Sequence, residues 1–411
     1  MEPMLGIYIH IPFCASKCSY CDFYSLAGSD NLMDKYQTAL IKHITESAPQ
    51  MQPYLIDTIY FGGGTPSHYG AKRICEILNL LKTHAKVLKT AEITVELNPD
   101  SVTSSDLRLL RSEGVNRISL GVQSAKDDIL RLIGRRHNFG QAEKTIKRCR
   151  SAGLKDISID LIYGLPSQTK NDWADTMSKA IAMRPTHMSC YGLKLEEGTQ
   201  MYKKYKGDQL MPSEDDQADM YLYMTDMLER YGYSQYEISN FSRPGYESKH
   251  NLKYWNLDDY MGFGPGAHSN VGSVRYSYIR DLPAYIDGIN TDSSVVDEYE
   301  VLGKLERAGE YIMLGMRTTR GISKEEYSRI YKSGFDKIAY LLEEYAKKGW
   351  AESTGERWHF TSSGFLLSNI LIGTLLEAQS QEKMSANPWM IDGMGEEEAE
   401  ITIPSGGKIF N

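Results

Sequence analysis

The sequence predicts a parallel α/β fold: an open partial barrel of six strand–helix units, (β/α)6, followed by a C-terminal, mainly helical domain of winged-helix type. Short apolar, β-branched runs alternate with helical patterns through the first half of the chain. Motifs bearing Cys, Gly and Pro stand just after the strand runs, where parallel folds place their ligands. After Gly198 the alternation stops, and the last third reads as helices and a hairpin.

Residues 6–11 read as the first strand, closed by Pro12, and 34–47 as a helix. Residues 56–61 are a strand running into Gly62-Gly63-Gly64. Over 71–83, Ile74, Ile77, Leu78 and Leu81 fall at helical spacing. Residues 92–97 are a strand ended by Asn98-Pro99, and 104–113 a helix stopped by Gly114. A strand over 115–122 precedes helices over 126–133 and 141–152. The fifth strand, 157–163, ends in Gly164-Leu165-Pro166; a helix at 173–183 leads to the sixth strand, 187–193.

Beyond, 213–231 is helical, and 235–281 is rich in Gly, Ser, Asn and Tyr and reads as strand or loop. Helical patterns follow at 298–314, 324–331 and 337–348, with a hairpin over 350–360 turning at Gly355. The longest apolar stretch, 365–376, reads as a buried helix. From about Gln379 patterning fades into Glu396-Glu397-Glu398, the mark of a disordered acidic tail. The implied division is a core over 1–200, an extension over 201–290, a C-terminal domain over 291–378 and the tail over 379–411.

A length of 411 residues exceeds one small core, and 41% hydrophobic with 24% charged residues is ordinary for a soluble chain. A net charge of -8 excludes nucleic-acid binding by bulk positive charge. No apolar run reaches membrane-spanning length, and Met1-Glu2-Pro3 lacks a basic leader, so a reducing cytoplasm is expected.

Three of the six cysteines, Cys14, Cys18 and Cys21, crowd into one Cx3CxxC loop after the first strand. Three thiolates hold three irons of a cubane and leave the fourth open for a chelating cofactor. Structural zinc is the weaker alternative: it needs a fourth ligand, with His10 nearby on the preceding strand. Cys75, Cys149 and Cys190 read as buried small hydrophobes. Gly62–Pro66 lets backbone approach a ligand closely, and Glu96 and Asp160 offer strand-end carboxylates to an amino group or ribose hydroxyl.

The cysteine spacing resembles the radical S-adenosylmethionine (SAM) superfamily, in which cluster-bound SAM is cleaved to a 5'-deoxyadenosyl radical. Residues 8–14 (YIHIPFC), 62–66 (GGGTP), 121–124 (GVQS) and 160–166 (DLIYGLP) are similar to the HemN-like coproporphyrinogen III dehydrogenase group, within a likeness covering residues 4 to about 375. That resemblance implies a barrel of radical SAM type with a [4Fe-4S] cluster on Cys14, Cys18 and Cys21. It implies SAM contacts at Tyr8, Tyr20, Gly63, Gly64, Thr65, Glu96, Gln123, Arg135 and Asp160, with Arg135 clamping the SAM carboxylate at two points. Residues 262–269 look like a family segment expected to close over the site, without a catalytic role for His268.

Phe23 stands where the dehydrogenases carry a fourth cysteine, and the lead before Cys14 is short. Both features, with His250-Asn251-Leu252-Lys253-Tyr254-Trp255, resemble the HemW haem chaperone branch and its HNxxYW motif. The branch implies haem, with His250 on the iron, Tyr254 and Trp255 against the porphyrin, and Lys253 on a propionate. It implies delivery to an apo-haemoprotein, a membrane respiratory enzyme among the candidates, through peripheral contact, with cluster and SAM gating dimerisation or transfer. Oxygen-independent coproporphyrinogen III oxidation is the alternative function, and a structural zinc protein a third.

Overall fold

The structure, a computed structural model, describes residues 2–385. Six strands, β1 (Met4–Ile11), β2 (Leu55–Gly63), β3 (Lys86–Leu97), β4 (Arg117–Gln123), β5 (Asp156–Tyr163) and β6 (His187–Gly192), lie side by side in chain order. All five contacts between them are parallel. This is the expected open, parallel arrangement of six strands.

Alternation along the strands positions the site. Ile7, Ile59, Val95, Ile118, Ile159 and Met188 point outward and are buried. The residues between them point inward, and they are polar or aromatic: Tyr8, Tyr60, Glu96, Ser119, Asp160 and Ser189. Parallel strands covered on both faces are usually apolar throughout. These are not, because the inner face encloses a polar space. Connecting helices start on reciprocal caps at Thr103/Asp106, Asn138/Gln141 and Thr169/Asp172.

The extension forms no layer of its own; it continues both edges of one 12-stranded sheet. Beyond β6, Asn240–Ser242 adds antiparallel. Beside β1, Tyr260–Phe263 adds parallel, followed antiparallel by His268–Val271 and Val274–Tyr278; Val296–Val301, from beyond residue 290, adds antiparallel to the last of these.

Two departures from the sequence reading lie here. Residues 249–256, expected as strand or loop, form the helix Lys249–Asn256. Its cap residue Ser248 makes no side-chain cap; instead the Glu92 carboxylate accepts from the backbone N–H groups of Lys249 and His250, each at 3.0 Å. A cap supplied from β3 is invisible to local pattern. Residues 298–301, expected as helix, belong to the strand Val296–Val301, and the helix begins at Lys304.

Beyond it, helices Lys304–Gly315, Lys324–Tyr331 and Asp336–Lys347 pack with the hairpin Ala351–Thr354/Arg357–Phe360, to which Ile322–Ser323 adds a third strand. The hairpin turns at Gly355, whose φ of 67° suits glycine. Arg357 and Arg320 both reach Glu326, at 2.6 and 2.9 Å, pinning wing to helix. The apolar stretch at 365–376 is split between helices Ser362–Leu366 and Ser368–Ser385. The second runs past Gln379; the remainder of the expected acidic tail lies outside the described residues. Among the described residues no helix is long and apolar enough to cross a membrane.

Candidate cluster and nucleoside site

A cavity of about 350 Å³ opens at the C-terminal ends of the strands. Its lining includes Cys14, Cys18 and Cys21, and every expected SAM contact except Tyr8. The loop bearing the cysteines is held at both ends. Phe13–Cys14 pairs with Leu26–Ala27. Midway, the Ser19 N–H donates to the Ile133 carbonyl at 3.2 Å and its carbonyl accepts from Met201 N–H at 2.8 Å.

Thr65 Oγ1 donates to Cys14 Sγ at 3.3 Å and Arg135 Nη1 to Cys18 Sγ at 3.7 Å. Burial pushes the Cys14 and Cys21 thiols up, so metal loading must release protons. His10 is not a fourth ligand: its Nδ1 meets Tyr8 Oη at 3.0 Å and its Nε2 the Tyr24 carbonyl at 2.9 Å. Among the described residues no three His, Cys, Asp or Glu side chains converge on one ion position. The thiols stand around the cavity wall, an arrangement open to a cluster taking one thiolate per iron.

The glycine run does more than approach a ligand. Gly63 has φ of 109°, and a Cβ there would meet the His10 ring at 2.5 Å. A Cβ on Gly64 would meet the Ile11 and Phe13 carbonyl oxygens at 2.8 Å. The turn therefore packs directly on the root of the cysteine loop. Gly63 N–H donates to Glu96 Oε2 at 3.2 Å, and Tyr60 Oη–H to Oε1 at 2.8 Å. Burial still pushes Glu96 up to about 7. Asp160, also raised by burial, accepts from Ser119 Oγ at 3.1 and 3.2 Å. Gln123 closes β4 with φ of 66°, a strained non-glycine position at the cavity edge.

The expectation of a cluster with SAM fits this wall. Soft thiolates occupy one side; carboxylates, an amide and a guanidinium face them, a donor set for an amine, a carboxylate and a diol. Two expected roles change. Arg135 is not a free two-point clamp, because Nη2 already donates to Asn98 Oδ1 at 2.9 Å and the Gly121 carbonyl at 2.5 Å. Tyr8 is not in the cavity lining; it completes a three-ring cluster with Tyr60 and His250, at centroid distances of 6.2 and 6.4 Å.

The HNxxYW helix departs furthest from expectation. His250 is fully buried; Nδ1 meets Thr58 Oγ1 and Nε2 meets Tyr254 Oη, both at 2.8 Å. Its ring lies on Tyr60 at 5.2 Å. No ring nitrogen is left for iron. Lys253 is buried and paired with Asp57 at 2.9 Å, so it does not await a propionate. Tyr254 packs edge-on to Tyr260, and neither it nor Trp255 is among the lining residues. The residue of the motif that reaches the cavity is Asn251. Residues 262–269 do not close over the site: Gly264 packs on His10 and Tyr36, and Gly266 beside Tyr24.

Sequence reasoning missed Tyr60, Asn98, Arg117, Ser119 and Asn251 in the lining. For Tyr60, Arg117 and Ser119 the signal was the polar or aromatic residue at every second strand position; Asn98 follows a strand end and Asn251 lies on the helix Lys249–Asn256.

Residues 8–180 match the radical SAM superfamily and residues 302–367 the HemN C-terminal domain. A heme chaperone HemW of Bacillus subtilis is 34% identical, covering 91% of this chain and 99% of its own. Those of Lactococcus lactis and Escherichia coli are 35% and 31% identical, covering 88% and 91% of this chain and 94% and 98% of theirs. Among solved structures, coproporphyrinogen III oxidase (HemN) from Escherichia coli superposes with a TM-score of 0.78 over 92% of this chain and 90% of that one. At 22% identity that likeness shows the shared fold alone.

Proposed function

The chain belongs to the HemW family of radical SAM proteins, and on that premise we propose that it is a haem chaperone. It takes up haem and hands it to an apo-haemoprotein in the cytoplasm or, by peripheral contact, to a membrane respiratory enzyme. What carries the reading is the full-length likeness to the chaperones. Phe23, in place of a fourth cysteine, weighs the same way.

Cys14, Cys18 and Cys21 hold a [4Fe-4S] cluster in this reading. Tyr20, Gly63, Gly64, Thr65, Glu96, Gln123 and Asp160 surround SAM. When bound, cluster and SAM supply one-electron reductive chemistry. Arg135 supports the cysteine loop and turns its remaining N–H groups to the SAM carboxylate. Tyr8 acts indirectly, through Tyr60. The core over 1–200 carries this machinery, the extension over 201–290 the HNxxYW helix, and 291–378 the C-terminal domain.

The test is an anaerobic haem titration of the cluster-loaded chain, followed by transfer to an apo-haemoprotein. A saturable Soret band that moves to the acceptor is expected. Turnover of coproporphyrinogen III to protoporphyrinogen IX without haem binding would replace this reading with the oxidase.

A further inference from the structure

Two features at the cavity mouth have no use so far. Phe23 is 70% exposed, yet it lines the cavity. Beside it, the Lys17 ammonium donates to the carbonyl oxygens of Phe23 and Ser25, at 3.3 and 3.5 Å. Those bonds fix the cation in place without neutralising it, and among the described residues no carboxylate pairs with it. Asn251 reaches the same cavity from the helix Lys249–Asn256.

Size decides what can enter. At about 350 Å³ the cavity is at the small end of ligand pockets and takes one drug-sized molecule. A nucleoside–amino acid cofactor beside a cluster fills it. A porphyrin, larger and rigidly flat, has to lie across the opening. There an exposed aromatic ring beside a fixed cation matches an apolar disc with carboxylates on its edge.

Resting on the chaperone reading, we propose that porphyrin docks across this mouth, with Phe23 against its face, Lys17 on a propionate, Asn251 at the rim, and no iron bond from His250. Both nitrogens of His250 already have partners. Affinity then comes from face and edge, so it does not require the metal. An iron left unligated by the motif keeps its axial positions open for the recipient's own ligands, which suits a protein that must release its cargo.

The test uses the cluster-loaded chain and two probes, haem and metal-free protoporphyrin IX, with Phe23→Ala, Phe23→Trp and Lys17→Gln. The wild type binds both probes, and Phe23→Ala weakens both by about tenfold, the worth of one good aromatic contact. Phe23→Trp restores binding. Lys17→Gln weakens the diacid but not its dimethyl ester. Iron content and SAM binding of Phe23→Ala stay at wild-type values, as truncation of an exposed side chain allows. Binding of haem but not of the metal-free ring would mean that an iron bond holds the ligand, overturning the proposal and leaving the chaperone reading intact. Unchanged binding of both probes by Phe23→Ala would do the same. A wild type that binds neither probe removes the chaperone reading, and the proposal with it.

Discussion

Inside the barrel, the earlier and later inward positions of the same strands are put to opposite uses. Towards the N-terminal ends the polar groups bind one another: Glu92 caps the helix Lys249–Asn256, Thr58 meets His250, and Ser158 and Tyr236 hold the two nitrogens of His187, each at 2.7 Å. Towards the C-terminal ends Glu96, Gln123 and Asp160 face the cavity. Pleat and spacing are common to both regions. What differs is the lid: the helix Lys249–Asn256 seals the lower region, while the upper one is open. A polar residue pointing into this barrel is therefore structural where a helix covers it, and ligand-facing where it borders the open cavity, as Glu96 and Asp160 do even with partners in Tyr60, Gly63 and Ser119.

That difference is broken most directly at the cysteines. Cys18→Ala in the upper region is expected to abolish the brown chromophore and its iron while leaving thermal unfolding of the apoprotein within about 1 kcal/mol of wild type. Metal analysis and calorimetry together check it; full iron content in the variant would remove Cys18 from the site. Arg117→Met, on the boundary, is expected to do the reverse. Arg117 is 2% exposed, and its charge bears on Glu92, Glu96, Asp156 and Asp160. Removing it leaves buried carboxylates uncompensated, at a cost of about 3–5 kcal/mol by denaturant unfolding. A loss under 1 kcal/mol would show that protons already neutralise those carboxylates.

The outline of this division was legible in the sequence; its sorting was not. All six strands stand where their apolar runs lie, because alternate positions along them had to enter the core. The Cx3CxxC loop and the glycine turn declare themselves by residue type. His250 misled for a physical reason. A histidine beside two aromatic residues reads as a metal ligand or a packed imidazole with equal ease, and the partner that decides, Thr58, is 192 residues away. The same distance effect hid the Glu92 cap, and with it the helix that closes the lower region.

His250→Leu tests the sorting at the next smaller scale. It leaves Thr58 and Tyr254 unpartnered, at about 1–3 kcal/mol of stability. A second readout separates structural from ligand roles. Burial, reinforced by the charges of Lys253 and Arg117, lowers His250 from its usual 6.5 to about 3. The unfolded chain takes up the proton below about pH 6.5 and the folded one does not. The stability this group contributes is thus present above pH 6.5 and is lost as pH falls towards 3. His250→Leu should flatten the acid slope by one proton, while porphyrin affinity of the folded fraction stays within about threefold of wild type. Loss of porphyrin binding with an unchanged acid slope would move His250 to the ligand-facing side.

The smallest effect belongs to Glu96 and its neighbour Tyr60. Burial holds Glu96 at about 7, against the opposing pull of the Tyr60 hydroxyl and the Gly63 N–H. To pair with the amine or hydroxyls of SAM as a carboxylate, Glu96 must first lose its proton. SAM affinity should therefore weaken below pH 7, by up to about tenfold per pH unit, and level off above it. Glu96→Gln removes the dependence. Tyr60→Phe deletes a donor that favours the ionised form, so the midpoint should move upward by less than about one unit, with affinities converging in alkali. A merely structural Tyr60 would lower affinity equally at every pH. A wild-type profile flat from pH 6 to 8 would instead mean that Glu96 is already ionised in the loaded site, and that the open region is more strongly preorganised than its buried carboxylates imply.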